Sequence, residues 1–407
     1  MITGLNVHKE VAVTAVHLDD VPRARVLAGR NHWWFLGPGG VARLGPAAVS
    51  PEGVLRPQAR QRLRDLGLCT AAAPSTYALT VLTSTACNLG CGYCFQNTGQ
   101  DPTGGSRPPR IAQARLTSQT ITSVLEFTAR QMAAAGLDKL RVLLFGGEPL
   151  LNPRGCLELL QRAADYGMTS AWMISNLTLL TEPLARQLSE RGLRTIQVTF
   201  DGDRPDHDRI RVRRSHGGTF DSIVRNIVRA SAATPIQWTL RVNVSHHNQS
   251  GIDTLVDRLA AAVDSSRCTI YFARVGDVGV GYANDLLHTG EVSDRFIGWQ
   301  RRALGLGFAV PRPTARPLCQ TCGHLNGRYG AVVNADGTLS SCWENAGRPG
   351  WRVGTADDGY LPEGETSARW MACEDLYQFA EESPVLDTFH DAVDAALLDY
   401  LSETGRL

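Results

Sequence analysis

Residues 77–94 read Tyr77-Ala78-Leu79-Thr80-Val81-Leu82-Thr83-Ser84-Thr85-Ala86-Cys87-Asn88-Leu89-Gly90-Cys91-Gly92-Tyr93-Cys94. Tyr77–Thr83 is rich in aliphatic, aromatic and β-branched side chains and predicts a buried strand. The last eight residues space three thiols by three positions and then two. Gly90 and Gly92 let that loop wrap tightly round a bulky core. A strand running directly into a functional loop is how barrels build active sites. Outward from it the same pattern repeats. Arg141–Phe145, Ala171–Ser175, Thr195–Phe200, Trp238–Val244 and Thr269–Arg274 read as further strands. Gln119–Ala135, Gly155–Tyr166, Leu184–Arg191, Phe220–Ala232 and Ile252–Val263 have amphipathic helical spacing. Six strands with five helices between them predict an α/β fold with a parallel sheet. The expected architecture over residues 75–310 is a partial (β/α)6 TIM-like barrel. A flat doubly wound sheet is the alternative.

The flanks read differently. Residues 1–74 suggest a small α+β unit. In it, Trp33, Trp34 and Phe35 fill a core or form a sheet edge, Gly37-Pro38-Gly39-Gly40 turns, and Leu55–Leu68 has helical spacing. Beyond Pro311 a loop-rich segment, 311–385, carries Cys319, Cys322, Cys342 and Cys373. Ala331–Ser340 predicts a hairpin with an Asp336-Gly337 turn, which returns Cys342 beside Cys319 and Cys322. Residues 386–407 close the chain with an amphipathic helix.

Composition bounds the function. The chain has 407 residues, 43% hydrophobic and 20% charged, with formal net charge +1, as befits a globular protein. That balance gives no electrostatic reason for a nucleic-acid partner. No apolar run reaches the roughly 18 residues of a membrane span. The start of the chain lacks a signal-peptide pattern, so a cytoplasmic location is expected. In a reducing compartment the ten cysteines point to metal binding or catalysis rather than a disulfide framework.

Structural zinc needs four ligands, and after Cys87, Cys91 and Cys94 the next cysteine is Cys156. Three thiolates instead suit three corners of an iron–sulfur cubane and leave one iron open. Cys319, Cys322, Cys342 and Cys373 could hold either zinc or a cluster, and their spacing does not separate the two.

The Cys-x3-Cys-x2-Cys spacing, with Tyr93 before the third cysteine, resembles the radical S-adenosylmethionine (radical SAM) enzymes. So does Gly146-Gly147-Glu148-Pro149 after the second strand. The resemblance covers roughly residues 75–300. It implies a 4Fe-4S cluster on Cys87, Cys91 and Cys94, and S-adenosylmethionine whose amino group meets Gly146, Gly147, Glu148 and Pro149. Ser175-Asn176 resembles the start of the family's Thr-Asn-Gly, with Leu177 in place of the glycine. Thr199-Phe200-Asp201-Gly202, then His207-Asp208 and Arg211, resemble further family runs, which implies that Thr199 and Arg211 hold the ribose and carboxylate side of the cofactor. For Arg211 a surface salt bridge to Asp208 is the alternative.

The Cys342 element with its following Arg352-Val353-Gly354 resembles the SPASM and twitch extensions of this family. That implies one auxiliary iron–sulfur cluster on Cys319, Cys322, Cys342 and Cys373. Enzymes so extended often mature ribosomally made (RiPP) peptides, and residues 1–74 resemble a winged-helix module that binds precursor leader peptides. The implied function is therefore a radical SAM peptide maturase, with a precursor peptide as substrate and a flavodoxin or ferredoxin as reductant. The chemistry is one-electron cleavage of S-adenosylmethionine followed by hydrogen-atom abstraction. A dehydrogenase of a sugar or cyclitol, or a sulfatase-maturase-like protein oxidase, is the alternative. Asp277 stands just past the sixth strand, a position that offers it as a residue of the barrel mouth. No acid or base is otherwise assigned.

Overall fold

Trp34 and Phe35 are adjacent in sequence and point to opposite faces of a small sheet, each packed beneath a different helix. The computed structural model describes residues 16–17, 21, 24–51, 53–276, 279–282, 284, 286, 290–315, 319, 327–370 and 383–407. Strands β1 (Val16–His17), β2 (Arg25–Ala28), β3 (Trp33–Gly37) and β4 (Gly40–Leu44) form an antiparallel sheet in chain order. Strand alternation sends Phe35 and Val26 toward Leu63 of α1 (Pro57–Asp65). It sends Trp34, Leu27 and Leu36 toward Ala395 and Leu398 of the C-terminal helix (Ser383–Glu403). Trp34 and Phe35 are fully buried, so they are core residues and not a sheet edge.

Six parallel strands follow: β5 (Tyr77–Ser84), β6 (Leu140–Gly146), β7 (Met168–Ile174), β8 (Leu193–Phe200), β9 (Gln237–Val244) and β10 (Cys268–Arg274). Each pairs in parallel with the next. The helices between them are α2 (Ser118–Ala135), α3 (Pro153–Ala163), α4 (Glu182–Glu190), α5 (Arg204–Ile210), α6 (Phe220–Ala233) and α7 (Ile252–Ala262). The sequence reading missed the short α5 and the later α8 (Gly290–Gly305). Helix α8 packs on the C-terminal helix, with the Phe296 and Phe389 rings 5.1 Å apart.

The sheet is curved. Tyr77, Leu79, Val81, Val142, Leu144, Ile196, Val198, Leu240 and Val242 point to the helices and are buried. The alternate residues, among them Ala78, Thr80, Arg141, Trp172, Gln197, Thr239 and Tyr271, line one cavity of about 820 Å³. Residues of β5 and β10 border the same cavity, which a flat sheet would not allow. The partial barrel is therefore correct and the doubly wound alternative is not.

The expected C-terminal hairpin forms from β11 (Gly330–Val333) and β12 (Thr338–Ser340), with Gly337 at φ +87° in the turn. It continues the barrel sheet, because β11 pairs in parallel with β5. Strands β13 (Arg352–Thr355) and β14 (Gly359–Tyr360) extend the same edge.

Candidate active site

The cysteine loop leaves the C-terminal end of β5, and its path is set by close backbone approaches. A Cβ at Gly90 would lie 1.7 Å from the Ser106 carbonyl oxygen, and one at Gly147 would lie 2.4 Å from the Ala86 oxygen. Only glycine fits at either position. The Gly146-Gly147 turn after β6 thus lies directly against the residue preceding Cys87. Glu148 N–H donates to the Ala86 carbonyl at 2.9 Å, which holds the two loops together.

Glu148 is fully buried, and its carboxylate ties its own turn to the end of β7. Its Oε1 accepts from Ser175 Oγ at 2.8 Å and from Leu150 N at 2.9 Å. Its Oε2 accepts from Asn176 N at 2.7 Å. Burial pushes this carboxyl up to about 7, against the pull of its three donors. Asn176 carries the connection onward. Its Nδ2 donates to Asn88 Oδ1 at 2.8 Å and lies 3.8 Å from the Cys87 sulfur. The next residue, Leu177, has φ +62°, the conformation a glycine would adopt without strain. This chain keeps the backbone shape of a Thr-Asn-Gly turn and fills the position with a buried leucine.

Arg211 is buried, and its partner is not Asp208. Its Nη1 donates to Tyr93 Oη at 2.5 Å and lies 3.3 Å from Asp201 Oδ2, to which Tyr93 Oη also donates at 2.8 Å. Asp208 instead accepts from Thr219 N and Phe220 N, capping α6. Asp201 and Arg211 lie at the two ends of α5, and Tyr93 lies within the cysteine loop. Arg211 Nε is buried with no partner among the described residues. His207 is buried among Phe200 and Phe220. Its ring nitrogens meet Asp201 N and Thr219 Oγ1, and burial followed by the Arg211 charge holds its pKa well below the ordinary value. It is a neutral core histidine. Thr199 is on the lumen face of β8, half-buried.

The donor set fits an iron–sulfur cluster. Burial pushes the Cys91 thiol up to about 12, against Arg211, with the Cys87 and Cys94 charges adding to the rise. Burial also raises Cys87, against Arg110. Thiolates in such a place need a cationic core to bind. The three thiols lie near enough to raise one another's pKa, and three thiolates from one loop suit three corners of a cluster.

Arg110 is a residue the sequence reading missed. Its Nη1 lies 3.5 Å from Cys94 Sγ, and its other contacts are Gln96 Oε1 (2.6 Å), Asn97 Oδ1 and the Thr85 carbonyl. Arg110 Nε and Gln96 Nε2 are buried without partners among the described residues, two orphan donors at the edge of the thiol set. The only sequence signal for them is the acid-free run 102–117, which contains three arginines.

The second cysteine group is partly placed. Cys342 is buried just past β12, and Cys319 and Trp343 line the barrel cavity. Cys322, Cys373 and Asp277 lie outside the described residues. Cys156 and Cys268 are buried core residues. No helix among the described residues is long and apolar enough to cross a membrane.

Comparison with known proteins bears on this geometry. Residues 81–259 match the family model of the Radical SAM superfamily. The chain is 31% identical over 120 residues to a GTP 3',8-cyclase of Crocosphaera subtropica, covering 30% of this chain and 32% of that protein. It is 24% identical over 275 residues to one of Alkaliphilus metalliredigens, covering 63% and 77%. It spans a third to a half of the length of the first curated relatives it matches. Among solved structures, native anSMEcpe with bound AdoMet superposes with TM-score 0.57 at 15% identity, covering 81% of this chain and all of that one. Streptococcus suis SuiB bound to S-adenosylmethionine gives 0.50 at 13%, covering 77% and 72%. At these identities the likeness is one of fold.

Proposed function

We propose that this chain, which belongs to the Radical SAM superfamily through residues 81–259, is a maturase acting on a ribosomally made precursor peptide. When bound, an iron–sulfur cluster with S-adenosylmethionine supplies one-electron reduction and hydrogen-atom abstraction. Cys87, Cys91 and Cys94 would hold three irons. Gly146 and Gly147 let the turn's backbone lie against the cysteine loop, and that turn would meet the cofactor's amino end. Glu148, with Ser175 and Asn176, fixes that turn. Arg211 offers its orphan Nε–H to the cofactor's carboxylate, a charge-assisted pairing, while Tyr93 and Asp201 hold its guanidinium in place. Thr199 is the candidate contact for the ribose. Cys319 and Cys342, with Cys322 and Cys373, would carry one auxiliary cluster.

The observation that carries this reading is the Glu148–Asn176–Cys87 connection, which locks a cofactor turn onto a three-thiol loop. The cavity of about 820 Å³ is lined by the N-terminal halves of β5, β6 and β9 with Cys319, and by no residue of the cysteine loop, so the peptide part rests on likeness of fold. The anSMEcpe fold with bound AdoMet also accommodates a Cp18Cys peptide, with TM-score 0.56 to this chain. A second reading, a nucleotide substrate, is favoured by the GTP 3',8-cyclase relatives. Anaerobic turnover of the reconstituted enzyme with a co-encoded peptide, or with GTP, separates the two. The peptide should lose two hydrogens by mass spectrometry. An unchanged peptide with a GTP-derived product would overturn the first reading.

A further inference from the structure

The lumen of the barrel has two unlike walls. On β5–β7, Leu82, Leu143, Phe145 and Ile174 gather with Trp343 into an apolar cluster. On β8–β10 the lumen residues are polar and pair in rungs across the strands. Gln197, Thr239 and Thr269 form one rung, and Thr199, Arg241 and Tyr271 form the next. Arg241 is thus level with Thr199, the candidate ribose contact. It stands one rung above the cavity of about 820 Å³, which Gln197, Thr239 and Tyr271 border.

The Arg241 side chain is held but not neutralised. Its Nε donates to Asn243 Oδ1 at 2.8 Å and its Nη1 to Tyr271 Oη at 3.4 Å. The guanidinium carbon lies 5.8 Å from the Tyr271 ring centre, and Tyr271 Oη donates in turn to Gln197 Oε1 at 3.2 Å. Asn243 is buried and also bonds to Asp201, whose carboxylate is already taken by Tyr93 and Arg211. Among the described residues no carboxylate bonds to Arg241, and its Nη2 has no hydrogen-bond partner. Two other arginines border the cavity, and both are engaged. Arg267 donates to the Ser231, Thr234 and Ile236 carbonyls, and Arg141 lies over the Trp172 ring.

A guanidinium pinned at Nε presents its remaining N–H groups in a fixed plane, the geometry that recognises a carboxylate. A triphosphate would bring several negative charges to this one unbonded amino group, whereas a carboxylate brings one. We propose that Arg241 anchors a carboxylate of the substrate. That carboxylate is an acidic side chain of the peptide, seated on the polar wall while a neighbouring apolar side chain lies on the β5–β7 wall. The inference rests on the peptide reading above and names what that peptide must contain.

The test uses the reconstituted holoenzyme with S-adenosylmethionine and the co-encoded peptide, labelled for fluorescence anisotropy. Each Asp and Glu of the peptide is replaced in turn by Asn or Gln. The protein variants are Arg241→Gln and Arg241→Lys. With the unaltered protein, one of these peptide replacements should weaken binding about tenfold or more. Arg241→Gln should weaken binding of the original peptide by a similar factor, yet bind that one amide peptide as well as the unaltered protein does. Arg241→Lys should recover part of the loss. In anaerobic turnover the change should fall on KM more than on kcat. Equal binding of the original peptide to Arg241→Gln and the unaltered protein would overturn the inference and leave the peptide reading standing. So would a peptide in which no acidic position matters, or an equal loss for every peptide. GTP binding that weakens on Arg241→Gln while peptide binding holds would also overturn it, and would assign the anchor to phosphate. If the unaltered protein binds no peptide at all, the peptide reading itself fails and the inference falls with it.

Discussion

Glu148 accepts the backbone N–H of Asn176 at 2.7 Å, and the Asn176 side chain then lies 3.8 Å from the Cys87 sulfur. The buried carboxylate joins the turn after β6 to the end of β7, and the Glu148 N–H and Asn176 side chain join both to the cysteine loop. Three loops that are far apart in sequence must hold their relative positions to within a few tenths of an ångström if they share a cofactor.

This carboxylate makes stability depend on pH. The unfolded group ionises near 4.5, the folded one near 7 because burial penalises its charge. Between those values the folded state binds more protons, so stability falls as pH rises. The loss approaches about 3 kcal/mol by pH 8. Glu148→Gln removes the titration and faces an amide N–H₂ against one of the donors, costing about 1–3 kcal/mol at pH 5. Urea unfolding at pH 5 and pH 8 should show the deficit of the variant shrinking or reversing. Parallel pH profiles would refute it.

Replacing Cys87, Cys91 and Cys94 together with alanine should abolish 5′-deoxyadenosine formation and remove part of the bound iron. Absorption remaining in the visible region would belong to the second cysteine group. Cleavage that survives the triple change would sink the assignment of the site.

Arg110 places a cation 3.5 Å from a cysteine sulfur. Arg110→Met should make the neighbouring cluster harder to reduce, by roughly 60 mV, equivalent to about 1.4 kcal/mol for one electron. Arg110→Lys should recover part of the shift. Redox titration followed by electron paramagnetic resonance reads this independently of turnover, and equal potentials in all three proteins would exclude the role.

Leu177 sets two effects against each other. Relieving its left-handed backbone with glycine gains about 1–2 kcal/mol, but deleting a fully buried leucine side chain costs about 3–5 kcal/mol. Leu177→Gly should therefore be less stable by about 2 kcal/mol in chemical unfolding, although it restores the smaller residue. A stabilised variant would show that strain dominates.

Arg25 joins the first sheet to the last helix, through Asp391 and through Asp394 at 2.7 Å. Arg25 and Asp391 are buried. Asp391→Ala leaves a buried cation short of one partner and should cost about 3 kcal/mol. Hydrogen exchange should quicken in β2 and β3 before it does so in β5–β10. Uniform loss of protection would mean that the small sheet and the barrel unfold as one.

Local pattern made much of this chain legible. The six barrel strands, the long helices and the C-terminal hairpin all carry their own periodicity or turn chemistry. The predicted helix Phe220–Ala232 became Phe220–Ala233, and Ile252–Val263 became Ile252–Ala262. The helix α5 was missed because seven residues hold too little of a 3.6-residue repeat to read. The three-thiol loop and the Gly-Gly-Glu-Pro turn were visible because each is contiguous.

What sequence by itself determined is everything written within one element or one loop: strand, helix, turn and cysteine spacing. Tertiary structure alone decided that β11 lies beside β5, that Trp34 meets a helix some 365 residues further on, that Arg211 turns to Tyr93 and Asp201, and that Arg110 reaches Cys94. These choices depend on which chain segments become neighbours. That is settled by the burial of whole faces and the pairing of buried charges, and no local window of residues records it.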